Sequence, residues 1–256
     1  MIKLLKGDCL EVMKTIESGS IDAVICDPPY GTTACKWDSV INLELMWKEL
    51  QRITKPTAAI VLFAQQPFSS VLTLSNIKSY RHRFLWEKDK CANFMTAKAQ
   101  PLKYTEDVLV FCNYGFLQNQ YKNTIGTYNP QMTYVKSEAV NSGQIRGKTM
   151  KEINLRPTNT NFKSDPKKDP KSRYPKDRIN FNVPKKDKVH PTQKPIALME
   201  YLIKTYTNEG ETVLDFTMGS GSTGVAAKQT NRSFIGIEQD ENYFNIAKNR
   251  IESILF

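Results

Sequence analysis

The chain has 256 residues, of which 40% are hydrophobic and 24% charged, with a net charge of +10. That length buries a core without a disulfide or metal staple, and no run approaches the roughly 20 apolar residues that cross a bilayer. MIKLLKGD at the start lacks an apolar signal core, and the five cysteines (Cys9, Cys26, Cys35, Cys91, Cys112) never stand as C-x-x-C, so the expectation is a cytoplasmic protein with reduced thiols and no metal.

In chain order, residues 3–5, 23–26, 58–63 and 108–112 read as strands. The middle two are nearly continuous apolar runs, as parallel strands buried on both faces require. Residues 11–16, 43–53 and 68–77 read as helices between them, and 80–86 as a further strand. From about residue 113 to 188 the pattern dissolves into Asn, Thr, Pro and Lys with single aromatics. It returns as a helix at 196–206, a strand at 212–215, a helix at 223–229, a strand at 234–237 and a helix from Glu241. The chain reads as an α/β protein whose one parallel-rich sheet is interrupted by a long basic insertion.

Charge is concentrated in that insertion. Between residues 141 and 190 fourteen lysines and arginines face five acids, nearly the whole excess of the chain. A confined basic stretch suits a polyanion, because each neutralised phosphate releases counterions. It suits a solvated loop as well.

Two segments carry chemistry. Residues 212–224, TVLDFTMGSGSTG, form a strand, a glycine turn and a helix start, and glycines there let backbone approach a ligand at the carboxyl end of a strand. The following strand ends in Glu238, placed to accept from ribose hydroxyls. GSGSTG also matches the dinucleotide pattern G-x-G-x-x-G, which keeps an NAD-dependent dehydrogenase open. The other segment, residues 21–31, is an apolar strand ending in Asp27-Pro28-Pro29-Tyr30. Its prolines fix φ and remove two donors, leaving the Asp27 carboxylate and the Pro28 carbonyl as acceptors beside an aromatic face. That environment suits an exocyclic amine on a planar base, a poor nucleophile that two acceptors can orient toward an electrophilic methyl group.

Asp27-Pro-Pro-Tyr30 together with Asp215-Phe-Thr-Met-Gly-Ser-Gly-Ser222 resembles the S-adenosylmethionine-dependent amino-methyltransferases of DNA. The order, catalytic motif first and cofactor loop last, resembles their circularly permuted β class. His190-Pro-Thr-Gln-Lys-Pro195 is similar to the segment that precedes the cofactor strand in that class, and Lys6-Gly-Asp8-Cys9 to its acidic turn near the adenine.

The resemblance implies a Rossmann-like methyltransferase fold with a seven-stranded, mostly parallel sheet in the order 3-2-1-4-5-7-6. Residues 4–6, 23–26, 58–63, 80–86 and 108–112 would be its third to seventh strands, and 213–215 and 234–237 its first and second. Residues 1–112 would be the catalytic half, 113–187 the target-recognition insertion and 188–256 the cofactor half. It implies that Asp8, Cys9, Asp27, His190, Thr192, Asp215, Phe216, Thr217, Gly219, Ser220, Gly221, Ser222, Thr223 and Glu238 hold S-adenosylmethionine. Asp27, Pro28, Pro29 and Tyr30 would act on a base flipped out of double-stranded DNA, with Tyr30 stacking on it and no metal or covalent enzyme intermediate needed.

In that context Lys36, Lys163, Lys167, Lys168, Lys171, Arg173, Lys176, Arg178, Lys185 and Lys186, with Tyr174 and Phe181 interleaved, are expected along DNA. Residues 31–45 read as a lid, although Trp37 is equally core packing; His82, beside Arg81 and Arg83, reads as structural. The leading expectation is adenine-N6 methylation, with cytosine-N4 as the alternative and a catalytically silent DNA-binding module kept as a third reading. β-class enzymes are often dimers, which makes a homodimer a further expectation.

Overall fold

The computed structural model describes residues 1–31, 39–91, 93–112, 126–134, 172–184, 189 and 192–254. Its first compact unit comprises Met1–Asn129 and Lys176–Phe256. In chain order this unit contains β1 (Ile2–Lys6), α1 (Cys9–Met13), β2 (Ile21–Cys26), α2 (Leu43–Ile53), β3 (Thr54–Ala64), α3 (Phe68–Ser75), β4 (Tyr80–Glu87) and β5 (Thr105–Cys112). The second unit, Pro130–Pro175, holds the short antiparallel pair β6 (Thr133–Tyr134) and β7 (Ser172–Arg173). The first unit resumes with β8 (Arg178–Asn180), α4 (Ile196–Tyr206), β9 (Thr212–Asp215), α5 (Ser222–Gln229), β10 (Ser233–Glu238) and α6 (Glu241–Glu252).

The sheet runs β1-β10-β9-β2-β3-β5-β4-β8. Its first seven strands stand in the expected order, with β5 antiparallel to both its neighbours and the pairs from β1 to β3 parallel. The eighth strand corrects the expectation. Arg178–Asn180 adds in parallel to β4, although it lies in the stretch read as insertion. Phe181 follows it inward: its carbonyl accepts from Trp86 Nε1 at 2.8 Å and its ring lies 5.6 Å from that of Tyr201, so it packs on the core instead of along DNA.

Apolar runs look continuous because both faces of the sheet are covered. Ala59, Val61 and Phe63 of β3 join one core with α4, α5 and α6, while Ile60, Leu62 and Ala64 join the other with α1, α2 and α3. Alternate residues of a strand point to opposite faces, so a strand covered twice is apolar at every position. Side-chain caps set several helix starts. Asp8 accepts from the Leu10 and Glu11 amides, which starts α1 at Cys9, earlier than the apolar spacing suggests; Asn42 and Asp240 do the same for α2 and α6. His82 Nε2 lies 2.8 Å from the Tyr206 hydroxyl.

In the middle of the sheet β9 and β2 lie side by side. Each runs into its own motif at its carboxyl end, so two segments nearly 190 residues apart in sequence become neighbours at the switch in strand order, where such sheets bind ligands.

Candidate active site

Loops at the carboxyl ends of the strands enclose a cavity of about 1030 Å³. Its wall includes Asp8 and Cys9, Asp27 through Tyr30, Thr192, Asp215 through Ser220, Ser222, Thr223 and Glu238. Most of the candidate residues therefore meet in one place.

The glycine loop is held from below and from both sides. Asp215 is buried; its Oδ2 accepts from Thr223 Oγ1 at 2.6 Å and its Oδ1 from the Thr217 amide at 3.2 Å. Burial pushes its carboxyl up to about 6, against the partial relief of those hydrogen bonds. Phe216 is buried in the core beneath the loop. Gly221 has φ +79°, and a Cβ there would meet the Cβ of Ala247 at 2.9 Å, so glycine is needed for the conformation and for the packing of α6. Glu238 accepts from the Gly219 amide at 2.9 Å and the Asp240 amide at 2.8 Å, and burial raises its pKa. On the far wall Asp8 caps α1, and the neighbouring Cys9 thiol is pushed up to about 12, first by burial and then by the Asp8 charge.

Thr217 ties the two motifs together. Its hydroxyl donates to the Asp27 carbonyl at 3.1 Å and lies 2.9 Å from Cys26 Sγ. Ser222 Oγ is buried, lines the cavity and has no hydrogen-bond partner among the described residues. An unsatisfied hydroxyl on the wall of the cavity is a place for a polar ligand group, because burying it unpaired costs on the order of 1–3 kcal/mol.

The Asp27 carboxylate is already engaged. Lys194 Nζ lies 2.7 Å from Asp27 Oδ2 and 2.7 Å from Glu106 Oε1, and Lys88 Nζ lies 2.8 Å from Glu106 Oε2. The Tyr30 hydroxyl is 2.5 Å from Asp27 Oδ1 and 3.1 Å from Glu106 Oε1, while its ring stacks on Phe68 with centroids 5.4 Å apart. Two carboxylates and two ammoniums thus form one largely buried, charge-balanced cluster. Burial is the largest influence on all three central groups. It raises Asp27, relieved in part by Lys194. It would raise Glu106 too, but the two ammoniums outweigh it and hold that carboxyl below the ordinary range. Burial would lower Lys194, yet the two carboxylates hold its ammonium above the ordinary lysine range. Burial also raises the Tyr30 phenol, which keeps it a donor.

Sequence reading missed this cluster. Lys194 lies inside the His190–Pro195 segment, and Glu106 stands beside Asp107 at the start of β5, ahead of the apolar run 108–112. Two acids leading directly into a buried apolar strand are the signal that could have found it, since unpaired charge is not buried. Of the remaining candidates, Arg173 lies in the second unit, Lys176 is exposed, and Arg178 Nε is 3.1 Å from Glu87 on the sheet edge. Lys36, Lys163, Lys167, Lys168, Lys171, Lys185, Lys186 and His190 lie outside the described residues, as do Trp37 and the rest of residues 32–38 of the expected lid. Among the described residues no helix is long and apolar enough to cross a membrane, and no group of three His, Cys, Asp or Glu is arranged to hold a metal ion.

Comparison with known proteins agrees with this geometry. A family model for N6/N4 methyltransferases, described as DNA methylase, matches residues 21–249. Type II methyltransferase M.HinfI of Haemophilus influenzae is 27% identical over 284 residues, spanning 98% of this chain and 68% of that protein. Among solved structures, the M1.HpyAVI–SAM complex superimposes with a TM-score of 0.63 at 24% identity, covering 98% of this chain and 100% of the other. PvuII DNA methyltransferase, cytosine-N4-specific, does so with a TM-score of 0.65 at 14% identity, covering 99% and 88%. At those identities the structures speak to the fold.

Proposed function

The chain belongs to the N6/N4 DNA methylase family as an S-adenosylmethionine-dependent DNA methyltransferase, and on that premise we propose that the amine it methylates is N6 of an adenine flipped out of duplex DNA. Family membership removes the dehydrogenase reading of the glycine loop. The adenine assignment rests on the Asp27-Pro28-Pro29-Tyr30 tetrapeptide, which in this family leans toward adenine; cytosine-N4 is the second reading, since an N4-specific enzyme shares the fold.

The residues present fit the cofactor. Loop backbone at Gly219 and Ser220, the unsatisfied Ser222 hydroxyl and the Glu238 carboxylate would hold it, with Asp8 and Cys9 near its base and Thr192 toward its methionine end, while Gly221, expected there too, packs on α6 and does not line the cavity. S-adenosylmethionine supplies an electrophilic methyl on a sulfonium. The protein's part is alignment and electrostatics. Asp27 and the Pro28 carbonyl accept the two amino hydrogens and stabilise the charge that develops on nitrogen. Tyr30, backed by Phe68, offers its ring to the base. Lys194 is a positioning residue: it fixes the Asp27 carboxylate and keeps it ionised beside Glu106. The observation that carries the reading is this held carboxylate at the end of β2, sharing one cavity with the glycine loop after β9. The lysines of the 163–186 stretch, among them the exposed Lys176, are assigned to phosphate contacts on the strength of their charge.

Purified protein, S-adenosylmethionine and unmethylated bacterial DNA, digested to nucleosides for mass spectrometry, test the proposal. N6-methyldeoxyadenosine is expected, absent with Asp27→Ala, which still binds DNA. N4-methyldeoxycytidine would overturn the base assignment, and full activity of Asp27→Ala would overturn the role of Asp27.

A further inference from the structure

Residues 88–104 join β4 to β5, and Lys90, Cys91, Asn93 and Lys103 of that loop line the mouth of the catalytic cavity. At its tip a single turn, Phe94–Thr96, holds Phe94 73% and Met95 95% exposed. Leaving a large ring and a thioether side by side in water is unfavourable for a free surface, and paired apolar side chains of this kind mark contact sites.

The turn is braced from within. Asn93 Nδ2 donates to the Pro101 carbonyl at 3.0 Å, Asn93 Oδ1 accepts from the Lys103 amide at 2.6 Å, and Gln100 Nε2 donates to Thr96 Oγ1 at 2.8 Å. Asn93 thus cross-links the two arms of the loop beneath the tip. The charge around it has one sign: Lys90, Lys98 and Lys103 are exposed, while the loop's one acid, Asp89, accepts from the Val183 amide at 2.8 Å. An apolar point in a cationic collar complements stacked bases between phosphate rails, and a neutral or basic protein partner far less.

We infer that Phe94 and Met95 form a wedge that enters the base stack next to the target and fills the gap the extruded base leaves. The inference rests on the proposed base flipping in duplex DNA. Unstacking a step is costly, and proteins that distort DNA commonly offset it with inserted Phe, Leu or Met. Here the loop that carries the wedge lines the cavity of the carboxylate that receives the base, so insertion and capture are parts of one movement of the DNA. Lys90, Lys98 and Lys103 hold the flanking phosphates and carry no base information.

Insertion between base pairs unwinds the duplex, which can be read without knowing the recognised sequence. Closed circular plasmid is relaxed by a topoisomerase in the presence of the protein and S-adenosylhomocysteine, then freed of protein. Wild type is expected to leave a linking-number deficit that grows with protein, and Phe94→Ala/Met95→Ala to leave little, while retaining DNA on a filter at low salt. Its methyl transfer to native DNA should fall roughly 10- to 100-fold, the size of one lost aromatic–base stack. Unwinding by the double variant equal to wild type, or none by wild type, would overturn the wedge. So would a change confined to oligomeric mass by sedimentation, which would make the tip a contact between copies. Methyl transfer to an exocyclic amine is measured separately, with wild type, so failure of the wedge and failure of the proposed function are distinct results.

Discussion

Replacing Lys194 by Met keeps the volume of the side chain and removes the cation shared by Asp27 and Glu106. Because each carboxylate oxygen is 2.7 Å from the same nitrogen, the two oxygens are held at most about 5.4 Å apart. At an effective dielectric of about 20 the repulsion at that separation is about 3 kcal/mol, and the attraction the ammonium gave Asp27 at 2.7 Å, about 6 kcal/mol, is lost with it. One carboxyl of the pair then retains a proton well above its wild-type titration. Lys88 still grips Glu106, so the proton settles on Asp27, whose pKa burial has already raised. A neutral Asp27 accepts poorly from the substrate amine. The turnover number should fall about 100-fold at pH 7, in line with the loss of one charge-stabilising group, and recover as pH rises toward 9. Affinity for S-adenosylmethionine by calorimetry should stay within about twofold, and Lys194→Arg should restore most of the pH 7 rate. Single-turnover rates from pH 6.5 to 9 decide it. A loss that is constant across that range, or no loss, would refute the reasoning.

Other consequences are equally direct. Asp215 is held near 6 by burial, above the roughly 4 of an unfolded carboxyl, so the folded state binds the extra proton between those values. Its contribution to stability therefore falls as pH rises from about 4 to about 6 and is flat above. Urea unfolding should show Asp215→Asn gaining on wild type by about 3 kcal/mol across that window; parallel profiles would contradict the assignment. Gly221→Ala places a Cβ at φ +79° against Ala247 and should cost about 2–4 kcal/mol of stability and weaken cofactor binding, measured by urea unfolding and calorimetry. Binding to non-specific duplex should weaken steeply with salt, with a log–log slope made shallower by about 1 for each lysine replaced in 163–186; a flat salt profile would remove that stretch from the DNA path.

Much of the molecule was legible in the residues themselves. Apolar runs at 23–26 and 58–63 named two central strands, because a strand covered on both faces must be apolar throughout. Glycines at 219 and 221, and the prolines after Asp27, carry local backbone requirements that survive in any fold, so both halves of the site could be read separately. The order of the sheet came from the resemblance. What no local pattern held was the partnership of distant charges. Lys88, Glu106 and Lys194 come from the end of β4, the start of β5 and the approach to α4, and only packing decides that they are buried together. Arg178–Asn180 has three residues and no period, so its place on the sheet edge is set by the open backbone of β4. Phe94 and Met95 read as ordinary apolar residues until the fold leaves them outside it. Conformation and periodicity are written along the chain; burial and proximity are properties of the folded whole, because the water a side chain loses depends on residues far from it in sequence.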